Sequence, residues 1–256
     1  MSKLVLAYSG GLDTSYCAAW LSKEKKFEVY AVLVNTGGFT EEEINKIRES
    51  ALSLGVKSFE AIDVTREFYE KCIKYLVFGN ALRNNTYPLS VSAERVFQAS
   101  TIAEYAKNID ATHIAHGSTG AGNDQIRFDM IFRIMAPKAE IITPIRDHQL
   151  SREEEIEYLK KHGVERDWSK SLYSINQGIW GTSVGGKETL TSQLGLPESA
   201  YPIQLERDGE EQVTLQFEKG ELKGINDQKY DHPLEAIAQL QKMAAPFAIG
   251  RDVHVG

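Results

Sequence analysis

Apolar positions follow two rhythms in the first two thirds of the chain. Residues 4–8 (Leu-Val-Leu-Ala-Tyr) and 29–34 (Val-Tyr-Ala-Val-Leu-Val) are unbroken apolar runs. A strand with one wet face alternates; an unbroken run of this length predicts a strand buried on both faces. Residues 58–64, 112–116 and 140–143 give three weaker strand candidates, and helical spacing fills 14–22, 41–54, 93–108 and 125–135 between them. Strands alternating with helices predict an α/β fold, a parallel twisted sheet with helices on both faces, and ligands at the carboxyl ends of the strands. Thr40 ahead of Glu41, Glu42 and Glu43, and Ser151 ahead of Glu154, read as capping boxes. The second of these helices has acids early and Lys160, Lys161 and His162 late, which suits its dipole, and Gly163 stops it.

The rhythm changes after about residue 163. Residues 176–186 are rich in glycine, serine and threonine. Residues 212–218 and 221–225 flank Lys219-Gly220 as an antiparallel hairpin, and a helix is expected over 234–243. These shifts place a boundary near 165, with one domain at 1–165 and a second, α+β unit at 166–256.

Composition narrows the function. At 256 residues, 42% hydrophobic and 25% charged, the chain buries a sizeable core without staples and is not disordered. A net charge of −7 argues against a nucleic-acid partner. Cys17 and Cys72 form neither a disulfide framework nor a metal spacing, which fits a reducing compartment. No apolar run reaches the ~18 residues of a membrane span, and the first residues lack the signal-peptide pattern, so the expected location is cytoplasmic, with no membrane partner.

The sharpest chemistry lies where the first buried strand meets the first helix, in Ala7-Tyr8-Ser9-Gly10-Gly11-Leu12-Asp13-Thr14-Ser15. Two glycines let main chain approach an anion, Ser9, Thr14 and Ser15 add hydroxyls, and the helix start adds free N–H groups. Neither the Gly-Lys-Ser/Thr of a Walker loop nor the spacing of a dinucleotide fingerprint is present. Asp13 has two readings, as a helix cap or as a residue that orients the loop and its magnesium.

A second glycine-bounded string follows the fourth strand candidate: His116-Gly117-Ser118-Thr119-Gly120-Ala121-Gly122-Asn123-Asp124-Gln125-Ile126-Arg127-Phe128. Asn123, Asp124 and Arg127 share a helix face. Arg127 suits a carboxylate and Asp124 an ammonium, the two charges of an amino acid, while Thr119 and Asn123 add hydrogen bonds. The blander alternative is an Asn/Asp cap with an intrahelical ion pair.

The Ser-Gly-Gly-x-Asp loop resembles that of the N-type ATP pyrophosphatases, which cleave ATP between the α- and β-phosphates. Taken with the second string, with Tyr87-Pro-Leu-Ser-Val-Ser92-Ala-Glu-Arg95, with Tyr173-Ser-Ile-Asn176 and with Gly181-Thr-Ser183-Val-Gly-Gly, it resembles the argininosuccinate synthase family from Leu4 to the last residue. The resemblance implies a Rossmann-like ATP pyrophosphatase fold with a partial second domain. It implies a ligase of arginine biosynthesis that adenylylates citrulline with ATP and Mg2+, releases pyrophosphate, and joins aspartate to give argininosuccinate and AMP. It assigns Ala7, Tyr8, Ser9, Gly10, Gly11, Leu12, Asp13, Thr14, Ser15, Val34 and Gly117 to ATP. Citrulline falls to Tyr87, Ser92, Asn123, Arg127, Ser174 and Ser183, and aspartate to Thr119, Asn123 and Asp124. Arg95 is a further candidate near the substrate carboxylates. Asp13 and Asp124 carry the catalytic expectation, which here means positioning and electrostatics. No metal ligand set is expected.

Family members continue beyond the point where this chain stops, and the resemblance implies a homotetramer built with a C-terminal helix. The sequence therefore reads as truncated, with an incomplete second domain and impaired tetramerisation. Gly256 falls where many members place a glutamate for the citrulline α-amino group, which implies weaker α-amino recognition and tolerance of an N-acylated citrulline in the full-length relative. Three features read as decoys. Gly181 to Glu188 nearly spells a Walker loop and is expected to be a turn presenting Ser183. His113 and His116, three apart on a strand, point to opposite faces and make no metal pair. Cys17 is expected to be packing. The competing functions are a tRNA-modifying or amide-forming ATP pyrophosphatase, and a nucleotide-binding module without turnover.

Overall fold

The computed structural model describes residues 1–120, 122–164, 166, 168, 173–191 and 193–253. Along the chain run β1 (Lys3–Ala7), α1 (Leu12–Lys23), β2 (Glu28–Asn35), α2 (Glu41–Ser53), β3 (Ser58–Asp63), α3 (Thr65–Phe68), a π-helical turn (Tyr69–Ile73) and α4 (Lys74–Phe78). Then come α5 (Ser90–Asn108), β4 (His113–Ala115), α6 (Asp124–Met135), β5 (Glu140–Ile142), α7 (Pro144–His148) and α8 (Arg152–Lys161). The remainder holds β6 (Ser174–Gly178), β7 (Gly181–Gly185), β8 (Leu215–Glu218), β9 (Glu221–Ile225), β10 (Gln228–Lys229) and α9 (Pro233–Ala244). The chain divides into two compact units, Met1–Val64 with Val91–Ser171, and Thr65–Ser90 with Leu172–Gly256.

The first unit is built on a five-stranded parallel sheet in the order β3-β2-β1-β4-β5. Alternation along β1 explains its unbroken apolar run. Leu4, Leu6 and Tyr8 enter one core with residues of α1, α2 and α8. Val5 and Ala7 enter the other, with Ala99, Ile102 and Ala103 of α5 and Phe128 and Phe132 of α6. Both faces are therefore covered, as the pattern predicts. Leu4, Leu6, Val29 and Val32 are fully buried, each contributing roughly 1.5–3 kcal/mol of transfer energy before entropy is counted.

Both capping boxes form. Thr40 Oγ1 accepts from the Glu43 N–H at 3.3 Å, while Glu43 Oε2 accepts from the Thr40 N–H at 2.8 Å. Ser151 and Glu154 repeat the exchange at 3.3 and 2.8 Å. Gly163, at φ +80°, ends α8 in a Schellman motif: its own N–H bonds the Lys160 carbonyl and that of Val164 bonds the Leu159 carbonyl.

In the second unit, β8, β9 and β10 form an antiparallel sheet on which α9 packs through Leu222, Ile225 and Ala236. The expected hairpin and the helix after it are present; β8 starts at Leu215, and a bulge interrupts its pairing between Gln216 and Phe217. The stretch from Gly181 departs from the expected turn. Gly181–Gly185 is strand β7, paired with β6 so that Asn176 opposes Ser183 and Ser174 opposes Gly185. The reversal falls at Gly178–Gly181, where Gly181 has φ +135°. Among the described residues no helix is long and apolar enough to cross a membrane.

Candidate active site

The strand order puts the chain's reversal between β1 and β4, so the loops that leave their carboxyl ends lie side by side. The contact is close. A Cβ added to Gly117, after β4, would sit 3.3 Å from the Asp13 carbonyl carbon and 3.4 Å from Thr14 Cγ2. Any larger residue there would force the two loops a few tenths of an ångström apart.

The first loop is ordered by its own polar groups. Gly10 has φ +77°, and a Cβ there would meet Ile47 Cγ1 at 3.0 Å. Thr14 Oγ1 accepts from the Ser9 N–H at 3.4 Å and donates to the Gly11 carbonyl at 3.3 Å. The Ser15 N–H bonds the Gly11 carbonyl at 2.9 Å and starts the α1 ladder. Among the described residues, the N–H groups of Gly10, Gly11 and Leu12 meet no acceptor. Together with the helix dipole they form an anion-accepting nest. Arg166 Nη1 donates to the Gly10 carbonyl at 3.0 Å. A peptide's C=O and N–H point opposite ways, so this grip fixes the direction of the Gly11 N–H.

Asp13 is not the cap of α1. The N-cap is Gly11, and no side chain caps the helix there. Instead the Asp13 carboxyl faces Glu155 of α8, whose residue surface is 2% exposed. Burial raises the Asp13 pKa from its ordinary value, opposed by the Arg152 charge. Burial and the adjoining Asp13 charge push Glu155 up to about 8. The pair thus retains a shared proton at neutral pH. Tyr8 is buried beneath the loop, and burial raises its hydroxyl pKa too. Val34 is buried near the end of β2. The next residue, Asn35, organises its own loop: its Oδ1 accepts from the N–H groups of Gly37, Gly38 and Phe39 at 2.9, 3.1 and 3.2 Å.

The second loop leads into α6. Thr119 and Asn123 are exposed at its rim, while Ser92, Asp124 and Arg127 are half-buried. Arg127 Nη1 donates to Asp124 Oδ1 at 2.7 Å and Nη2 to Ser92 Oγ at 3.1 Å. Arg95 Nε donates to Asp124 Oδ2 at 2.8 Å. The intrahelical pair is therefore present, but enlarged into a two-guanidinium cluster on one carboxylate. That arrangement leaves positive charge in excess, suited to a carboxylate ligand. His116, 1% exposed, bonds Asp129 Oδ1 through Nε2 at 2.9 Å and stacks on Phe128, while His113 lies against Phe27. Glu94, 1% exposed, is pushed by burial up to about 7.

Of the remaining candidates, Tyr87 is half-buried in the second unit. Ser174, Asn176 and Ser183 project from one face of the β6–β7 hairpin, because 174 and 176 alternate in phase and 183 opposes 176. Gly256 lies outside the described residues. Sequence reading missed Asn35, Glu155 and Arg166. An Asn followed by two glycines at the end of a buried strand is a usable signal for the first. The other two are set by contacts 142 and 156 positions away along the chain.

A parallel α/β sheet with two glycine loops meeting at its switch point defines the doubly wound α/β class, whose ligands bind in that crevice. Residues 3–165 match the family described as "Arginosuccinate synthase N-terminal HUP domain". The chain belongs to the argininosuccinate synthase family. It is similar to the argininosuccinate synthase of Methanocaldococcus jannaschii, 39% identical over 252 residues that cover 96% of this chain and 62% of that protein. The argininosuccinate synthase of Pyrococcus furiosus is 37% identical, over 99% of this chain and 62% of its own. That of Sulfurisphaera tokodaii is 35% identical, over 99% and 64%. The chain spans under two thirds of the length of these relatives.

Proposed function

We propose that the chain acts as an ATP-dependent carbon–nitrogen ligase joining citrulline to aspartate. The observation that carries this reading is the meeting of the two glycine loops at Gly117, which sets a phosphate-accepting nest beside a cluster suited to amino-acid carboxylates. In the proposed sequence, ATP lays its phosphates on the Gly10–Leu12 N–H groups, with Val34 near the adenine. The ureido oxygen of citrulline attacks the α-phosphorus, and pyrophosphate leaves. The amine of aspartate then attacks the activated ureido carbon, and AMP leaves with its oxygen. No side chain forms a covalent bond, so catalysis consists of alignment and charge neutralisation.

Ser92, Asn123 and Arg127 are assigned to citrulline, and Thr119, Asn123 and Asp124 to aspartate. Tyr87, Ser174 and Ser183, which the resemblance also gives to citrulline, belong to the second unit. Ser9 and Thr14 supply hard oxygen donors on the loop, which fits magnesium arriving on the phosphates, while the Asp13 carboxyl is engaged with Glu155. When bound, the ion neutralises charge on the triphosphate.

The test is pyrophosphate release that requires both citrulline and aspartate. Release driven by tRNA instead would favour another ATP pyrophosphatase, and ATP binding without turnover would favour a nucleotide-binding module. A cytoplasmic location goes with this reading. Light scattering measures the oligomeric state.

A further inference from the structure

The loop after β4 contains Gly117, Gly120 and Gly122, so its main chain has little intrinsic preference for one shape. Two tethers remove that freedom. The Ser118 N–H donates to His116 Nδ1 at 3.2 Å, and the Gly120 carbonyl accepts from Gln125 Nε2 at 2.6 Å. The tethers are joined behind the loop. Because His116 Nδ1 accepts, the ring proton sits on Nε2 and is donated to Asp129 Oδ1 at 2.9 Å. Asp129 Oδ2 accepts from Arg146 Nη1 at 2.9 Å, and the same nitrogen donates to Gln125 Oε1 at 3.0 Å. His116, Asp129, Arg146 and Gln125 thus close a ring whose two ends are main-chain atoms on either side of Thr119. Thr119 itself is exposed.

We propose that this ring is the positioning device of the aspartate site: it presents Thr119 in one fixed conformation, and His116 acts by accepting the Ser118 N–H rather than by touching substrate. The assignment rests on the proposed function, under which Thr119 binds aspartate. The ring depends on one tautomer of a neutral imidazole. Protonation would put a second proton on Nδ1, which then no longer accepts. Asp129, Arg146 and Asp147 are the charged groups that face His116, with Phe128 and Phe132 as its apolar walls. Burial outweighs Asp129 and lowers the His116 pKa from 6.5, so the ring stays intact at neutral pH and opens only in acid.

The test compares wild type with Asp129→Asn, which removes the charge that selects the tautomer, and with Gln125→Ala, which cuts the other tether and leaves the buried imidazole untouched. Amide hydrogen exchange reads the loop, and the KM values for aspartate and ATP read its use. The expected result is exchange at Ser118 about tenfold faster in Asp129→Asn, with the KM for aspartate raised about tenfold in both variants and that for ATP unchanged. A tenfold change is the size of one lost hydrogen bond. Unchanged exchange in Asp129→Asn would overturn the ring. Faster exchange with an unaltered aspartate KM, or an equal rise in both KM values, would overturn the positioning role. A wild-type chain that binds ATP but never consumes aspartate would overturn the proposed function and this assignment together, while the exchange rates still decide whether the ring holds the loop.

Discussion

Asp13 and Glu155 set the electrostatics beneath the first loop. Glu155 ionises near its ordinary 4.5 in an unfolded chain, but holds its proton up to about 8 when folded. Between those values the folded state binds more protons than the unfolded one, so stability falls as pH rises across the window. Glu155→Gln removes that contribution. Urea midpoints measured near pH 5 and pH 8.5 should differ less in the variant than in wild type. Part of the slope should persist, because Glu94 is likewise held protonated, up to about 7. Asp124 poses a different question at the same scale. It anchors Arg95 and Arg127 at 2.8 and 2.7 Å. Asp124→Ala should retain citrulline-dependent exchange of labelled pyrophosphate into ATP, while argininosuccinate formation falls about a hundredfold. Equal losses in both assays would remove Asp124 from the aspartate step.

Single elements explain what the sequence made legible. Strands β1 and β2 announce themselves because helices cover both of their faces, so no polar residue interrupts the run. Helices α2 and α8 are marked by caps whose chemistry is local. Each cap hydroxyl satisfies one N–H of the first turn, so Thr40→Ala or Ser151→Ala should cost about 1 kcal/mol, seen as a lower urea midpoint with an unchanged slope. Strands β6 and β7 carry no such signature. They are short, two-stranded and polar, and Ile175 is 45% exposed. The segment Thr65–Phe78 hides for another reason. Phe68 and Ile73 are both fully buried, yet five residues apart across a π-helical turn, which breaks the 3.6-residue period. In the candidate site the glycine loops were legible because the close main-chain approach they make depends on composition. Asp129, Arg146 and Glu155 were not, because their roles come from tertiary neighbours.

The whole molecule brings distant sequence together in a way no window along the chain reveals. Thr65–Ser90 leaves the first unit and groups with the residues after 171, although the strand–helix rhythm on either side of it is continuous. A ligand that binds only the folded chain must raise its unfolding temperature. At a hundred times its dissociation constant, ATP should add about 2.7 kcal/mol, and a thermal melt with and without nucleotide measures it. No shift at saturating ATP would count against the nest on the first loop. The two thiols offer a way to watch the first unit open. Cys17 is wholly enclosed by the first core, and its thiol is held well above the ordinary pKa by burial. Cys72, in the second unit, is only partly covered. A maleimide dye added to native protein should therefore attach once, at Cys72. A second attachment, detected by mass spectrometry, would time the rupture of the first unit from within, without any engineered reporter.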